Sequence, residues 1–184
     1  MQRLSFIFPR KRRFRRNQDG STVVEFALVI VPFLACLFAI IEVGLIFLAG
    51  QVLETSVADA SRLILTGQAQ GAGFDSTAFK NQICTKSVAA LFKCDAIQID
   101  VRTAASFGGA NLGAPVNASN MLDTSNFTYA PGTQCQIVVV RVVYEWPTFV
   151  RTFGLDTATL ANGKHLMMST TAFRNEPYSG TGFC

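Results

Sequence analysis

Few residues in this chain could do chemistry. His165 is the single histidine, so a mechanism needing two imidazoles is excluded. A histidine-based zinc site would have to draw its other ligands from thiolates or carboxylates. There are five cysteines, Cys36, Cys84, Cys94, Cys135 and Cys184, with no C-x-x-C pair among them. That spacing argues against a four-thiolate zinc site and leaves disulfides as the better reading for cysteines in an oxidising compartment. No G-x-S-x-G, no H-E-x-x-H and no phosphate-cradling glycine loop occurs. His165 sits beside Lys164 at the edge of a strand-like segment and reads as a surface residue rather than a base. Asn117-Ala-Ser119 and Asn126-Phe-Thr128 are formal glycosylation sequons, read here as loop chemistry only. We expect no enzyme, no cofactor, no metal and no small-molecule substrate.

Two carboxylates stand out by position: Glu42 lies within a long apolar run and Glu25 immediately before it. Of 184 residues, 49% are hydrophobic and only 15% charged, with a mean hydropathy of +0.32. That balance excludes intrinsic disorder and is too apolar for an ordinary soluble domain. The excess sits in Phe26 to Ala49, 24 residues with Glu42 as the one charge. As a helix the run would reach about 36 Å, against about 30 Å for a bilayer's hydrocarbon core. A secretory signal has a much shorter apolar stretch of about 7–15 residues, although Ala49 and Gly50 are small enough for a signal-peptidase site.

The net charge of +4 is unevenly placed. Arg3, Arg10, Lys11, Arg12, Arg13, Arg15 and Arg16 supply seven of the sixteen basic residues. From Ser21 onward nine Lys and Arg face eleven Asp and Glu, so no basic patch for nucleic acid is left. RKRRFRR could serve as a nucleic-acid arm or a nuclear signal. With a spanning segment ten residues further on it reads instead as a topogenic signal, which keeps the N-terminus in the cytoplasm and puts the rest outside the inner membrane.

At the junction, Gly20 precedes Ser21 and Glu25 lies five residues beyond the glycine. On its own, Glu25 would be a carboxylate solvated at headgroup level. Together with the basic leader and the apolar run, Gly20, Ser21 and Glu25 resemble the prepilins of type IV-pilus-like systems. The resemblance implies cutting by a prepilin peptidase between Gly20 and Ser21. It also implies that Glu25 neutralises a free α-amine, its own or a neighbouring subunit's, so that neither charge is buried alone.

A narrower resemblance rests on Val24-Glu25-Phe26-Ala27-Leu28-Val29 with Pro32, on Ile41-Glu42-Val43-Gly44, and on Arg174-Asn175-Glu176-Pro177-Tyr178 near the other end. These segments are similar to the TadE-like family of Tad (tight adherence) pilus assembly proteins. Ser21 at the first mature position, and the size of the chain, depart from Tad main pilins and suit a minor, pseudopilin-type component. Implied partners are the inner membrane, the prepilin peptidase, and other Tad pilins, pseudopilins and assembly proteins. The alternative is an uncleaved single-span scaffold whose periplasmic head binds other pilus or secretin components. An extracytoplasmic enzyme on a tether has no residue constellation behind it.

The spacing divides the chain into a leader (1–20), a membrane helix continued as a stalk (21–68) and an α+β head (69–184). Val52, Leu53, Ser56, Ala60, Leu63 and Ile64 extend the helix to Thr66, with Pro32 predicting a kink and Gly67 to Gly73 a break. Asp75 predicts the N-cap of a helix to about Phe92. Alternation predicts strands at 97–102, 136–146 and 164–174, with Leu166, Met168, Thr170 and Ala172 sharing one side of the last. The expected head is one helix on a three-stranded antiparallel sheet. The alternative is a larger sheet in which part of the Gly/Asn/Ser-rich 104–133 loop pairs as a further strand.

Cys36 falls within the apolar run and reads as a small apolar residue. Of the three pairings open to the other four cysteines, Cys84–Cys94 and Cys135–Cys184 are favoured. The first two flank the end of one helix. The second two meet if the central and last strands are antiparallel neighbours. Arg174, Asn175, Glu176 and Tyr178 could bind a partner or form a self-contained turn around Pro177.

Overall fold

The computed structural model describes residues 20–84, 86–110, 112–149, 156–178 and 184. The basic leader lies outside these residues apart from Gly20. Helix α1 runs from Ser21 to Leu65, 45 residues and about 68 Å, and includes Pro32. Its first part is long and apolar enough to cross a membrane: an 18-residue window has mean hydropathy 2.7 and none of it is buried.

The second part of α1 is not a free stalk. Ala49, Leu53, Val57, Ala60 and Ile64 recur at three- and four-residue steps and are all buried in the head core. Thus α1 itself is the long helix that covers the sheet, lying mainly over its last strand. Gly67 ends the helix at φ +76°, and the Tyr178 ring occupies the space that a Cβ would need there.

After a single turn, α2 (Gln68–Gly71), Asp75 caps α3 (Ser76–Ile83) by accepting the Ala78 N–H at 2.7 Å. The helix expected to reach Phe92 breaks at Cys84 and resumes as α4 (Lys86–Leu91), followed by a 3₁₀ turn at Cys94–Ala96. The Cys84–Cys94 bond explains the break, because its two Cα atoms lie 6.0 Å apart. Ten residues of continuous helix would separate them by about 15 Å, beyond the reach of a disulfide. A helix across both cysteines and a bond between them exclude each other.

Strands β1 (Gln98–Ala104), β2 (Ile137–Pro147) and β3 (Lys164–Arg174) form an antiparallel sheet in the order β1-β2-β3. The fold is therefore α+β, a long apolar helix followed by a small head with short helices and a three-stranded sheet. On the α1 side, Val138, Val140, Val142, Tyr144 and Trp146 of β2 join Ile99, Val101 and Met167 in the core. Phe92 of the 84–97 segment packs its ring 4.9 Å from Tyr144 and 5.5 Å from Trp146. In β3 the inward side is Met167, Ser169 and Phe173, opposite Tyr144, Val142 and Val138. Met168, on the side shared with Leu166, Thr170 and Ala172, is 55% exposed.

The loop between β1 and β2 covers the other face. It contributes no further strand among the described residues; Tyr129 makes one isolated bridge to Val101. That bridge uses Val101 N–H to Thr128 O and Ala130 N–H to Val101 O, both 2.8 Å. Burial, reinforced by the Asp75 charge, pushes the Tyr129 phenol up to about 12. The raised value favours the protonated, folded form. Its contribution to stability is complete below the ordinary tyrosine value near 10 and is lost as pH rises through about 12. In an alkaline absorbance titration we expect a late phenolate phase that Tyr129→Phe deletes. A wild-type titration with no phase above about pH 11 would contradict that burial.

Candidate functional site

The N-terminal junction is open to solvent. Gly20 stands just before α1, and Ser21, its first residue, and Glu25 are exposed. The helical rise brings the fourth residue on over the first, so the Ser21 hydroxyl donates to Glu25 Oε1 at 2.8 Å. The Glu25 carboxylate is therefore one turn from the atom that would become an α-amine if the chain were cut before Ser21. An amine there would sit at the positive end of the helix, which sharpens the need for a nearby anion.

Glu42 behaves differently. In an otherwise exposed apolar stretch it is only 4% exposed, because Phe149 and Thr157 of the head meet it. Phe149 N–H donates to Glu42 Oε1 at 3.1 Å, and the Thr157 hydroxyl donates to the same oxygen at 3.0 Å. The sequence marks Glu42 only as the lone charge in the run. Its partners lie 107 and 115 residues away, beyond any local pattern. His165 joins the same end of the head: it is half-buried, with Nδ1 2.7 Å from the Thr157 carbonyl. It also lines a cleft of about 530 Å³ between α1 and β3, with Ile46, Gly50, Gln51 and Met168.

The C-terminal motif forms internal bonds. Asn175, 1% exposed, donates its side-chain amide to Pro131 O at 3.0 Å and Thr133 O at 2.9 Å. Arg174 Nε donates to Cys135 O at 2.9 Å. Glu176 N–H donates to Leu65 O at 2.8 Å and so takes up one of the orphan carbonyls at the end of α1. The Tyr178 ring then lies over Gly67 and remains 40% exposed. This segment ties the end of α1, the start of β2 and the end of β3 into one corner. Cys135–Cys184 closes the same corner, with a Cα separation of 5.3 Å. Cys36 is free and exposed on the apolar part of α1.

Strand alternation alone left one polar cluster unrecognised. Asp100 and Arg141 are cross-strand partners on the loop-covered face, at 0% and 4% exposure, and their 2.8 Å ion pair is buried. Arg102 Nε holds the second Asp100 oxygen at 2.8 Å, and the Thr128 N–H donates to that oxygen at 3.1 Å. Arg141 also donates to Gly113 O at 2.6 Å and lies over the Phe127 ring. Opposite charges at the centres of two neighbouring strands were the available signal, but only the register joins them. Among the described residues, no three His, Cys, Asp or Glu side chains gather as a metal site would require.

The geometry defines a class: a protein with one long N-terminal apolar helix whose far half is built into a disulfide-bonded α+β head. Residues 20–62 match the family model described as TadE-like protein. The match takes in Gly20, Glu25, Glu42 and the head-packed turns of α1 as far as Arg62, so the similarity to that family lies in the long helix. No match was found among curated proteins or solved structures.

Proposed function

We propose that this chain is a minor pseudopilin-type component needed to assemble a Tad-type pilus or secretion machine. It is held in the inner membrane by α1, with its N-terminus cytoplasmic and its head periplasmic. A prepilin peptidase cuts between Gly20 and Ser21. Glu25 then pairs with the new α-amine, its own or a neighbour's, while filament components pack helix to helix in the bilayer. The protein acts by packing and head contacts rather than by catalysis. The observation that carries the reading is the placement of Gly20, Ser21 and Glu25: an exposed glycine before the helix, then a carboxylate one turn inside an apolar helix that matches the TadE-like model.

Intact mass and N-terminal peptides of the protein from native membranes test this, with and without the peptidase. A chain starting at Ser21 only when the peptidase is present is the expected result, and Gly20→Ala should then block most of the cutting. Met1 in both samples would leave an uncleaved scaffold whose head binds other pilus or secretin components. Glu25→Ala should leave cutting largely intact but lower incorporation at least about tenfold, equivalent to about 1.4 kcal/mol. That is less than the about 3–5 kcal/mol lost when one member of a fully buried ion pair is stranded, as suits a carboxylate at the exposed end of the helix. Normal incorporation of Glu25→Ala would remove the electrostatic role.

A further inference from the structure

The Glu42 contact fixes how far the head stands from the apolar part of α1. From Phe26, where the apolar run begins, to Glu42 is sixteen residues, about 24 Å of helix. The hydrocarbon core is about 30 Å thick. Phe149 and Thr157, docked on Glu42, therefore lie within about 6 Å of the outer boundary of that core, with no free stalk between the membrane and the head. Phe149 is 73% exposed, and the neighbouring α1 surface carries Val43 at 55% and Phe47 at 70%. Phe149 thus places an exposed aromatic ring on the head beside the apolar part of α1, where its own N–H meets Glu42.

The polar groups nearby suit such a position. Irregular backbone near the bilayer core needs its hydrogen bonds met within the protein. Glu42 accepts the Phe149 N–H, and the Thr148 hydroxyl donates to Gly163 O at 2.7 Å. Taking up the Thr157 hydroxyl as well, the Glu42 carboxylate has partners where a lone charge would be costly.

We propose that Phe149 is a second membrane contact, seated at the headgroup–acyl boundary of the outer leaflet, and that Glu42 is the latch that holds the head down on the lipid surface. This rests on α1 spanning the bilayer, and the test separates the two ideas. The full-length chain is reconstituted into phosphatidylethanolamine/phosphatidylglycerol vesicles whose acyl chains are brominated either near the headgroup or near the bilayer centre. Two variants are compared, Phe149→Trp and, as a marker of the span, Phe38→Trp. Trp146 is retained as an internal reference within the head core, and its emission together with an intact Cys135–Cys184 bond reports folding.

We expect shallow bromines to quench Phe149→Trp about twofold more than deep ones, as for an aromatic side chain at the interface, and Phe38→Trp to show the opposite preference. Quenching at residue 38 with none at residue 149 would overturn the second contact and leave the span in place. No quenching at either would overturn the span, and the contact with it. In the Phe149→Trp background, Glu42→Ala should abolish the shallow quenching; persistence would show that Glu42 is not the latch.

Discussion

Replacing Arg141 by Met should lower stability by about 3–5 kcal/mol, measured from urea unfolding of the full-length protein, because it strands a carboxylate from which water is excluded. Asp100 is fully buried, and Arg141 lies opposite it across the strand pair. Arg102 would remain on one Asp100 oxygen, but its side chain is a third exposed and cannot replace a desolvated partner. The loss should be visible locally as well. Arg141 donates to the carbonyls of Gly113 and Leu112, so without it the 105–134 loop should be cut by protease before the rest of the head. The double change Asp100→Leu with Arg141→Met should recover much of the stability, since an apolar pair of similar volume leaves no buried charge. A loss below about 1 kcal/mol in the single variant would place the pair in the energy range of surface ion pairs.

The two disulfides should differ in what their removal costs. Cys135–Cys184 closes 49 residues and Cys84–Cys94 closes 10. Loop-closure entropy in the unfolded chain then assigns about 4 kcal/mol at 25 °C to the first and about 2.7 kcal/mol to the second. Serine pairs at each bond, compared in urea, should keep that order. Losing Cys135–Cys184 also frees Cys184 from the corner where Glu176 holds the end of α1 and Asn175 holds the loop before β2. Fraying should therefore spread from that end of the molecule. A larger loss from Cys84/Cys94 would show that native packing around the broken helix outweighs chain entropy.

The elements of this fold were readable because each carries its own period. The stripe of α1 and the alternation of β2 place Leu53, Ala60, Ile64 and Val138, Val140, Val142 on buried faces from spacing alone. Asp75, Gly67 and Pro147 sit at or near the ends of elements for steric and capping reasons that act locally. Gly20, Ser21 and Glu25 likewise form a motif within one helical turn, so their candidate role needs no tertiary information.

Partnerships across distance were not readable. Periodicity shows that one stripe of α1 must be buried but not against what, so the stretch read as a stalk is the helix that closes the core. The division at Cys84 follows from a bond that overrides helix propensity, because a helix lengthens by 1.5 Å per residue and a disulfide tolerates only a few ångströms. Asp100 with Arg141, and Glu42 with Phe149 and Thr157, are pairs whose desolvation depends on the sheet register and on the path of the chain after β2. The sequence by itself determined the apolar helix, the strands and the N-terminal motif, which rest on local geometry and composition. Only the tertiary structure decided which buried charges are neutralised and how close the head stands to the apolar helix, because burial and pairing arise from contacts between residues far apart in the chain.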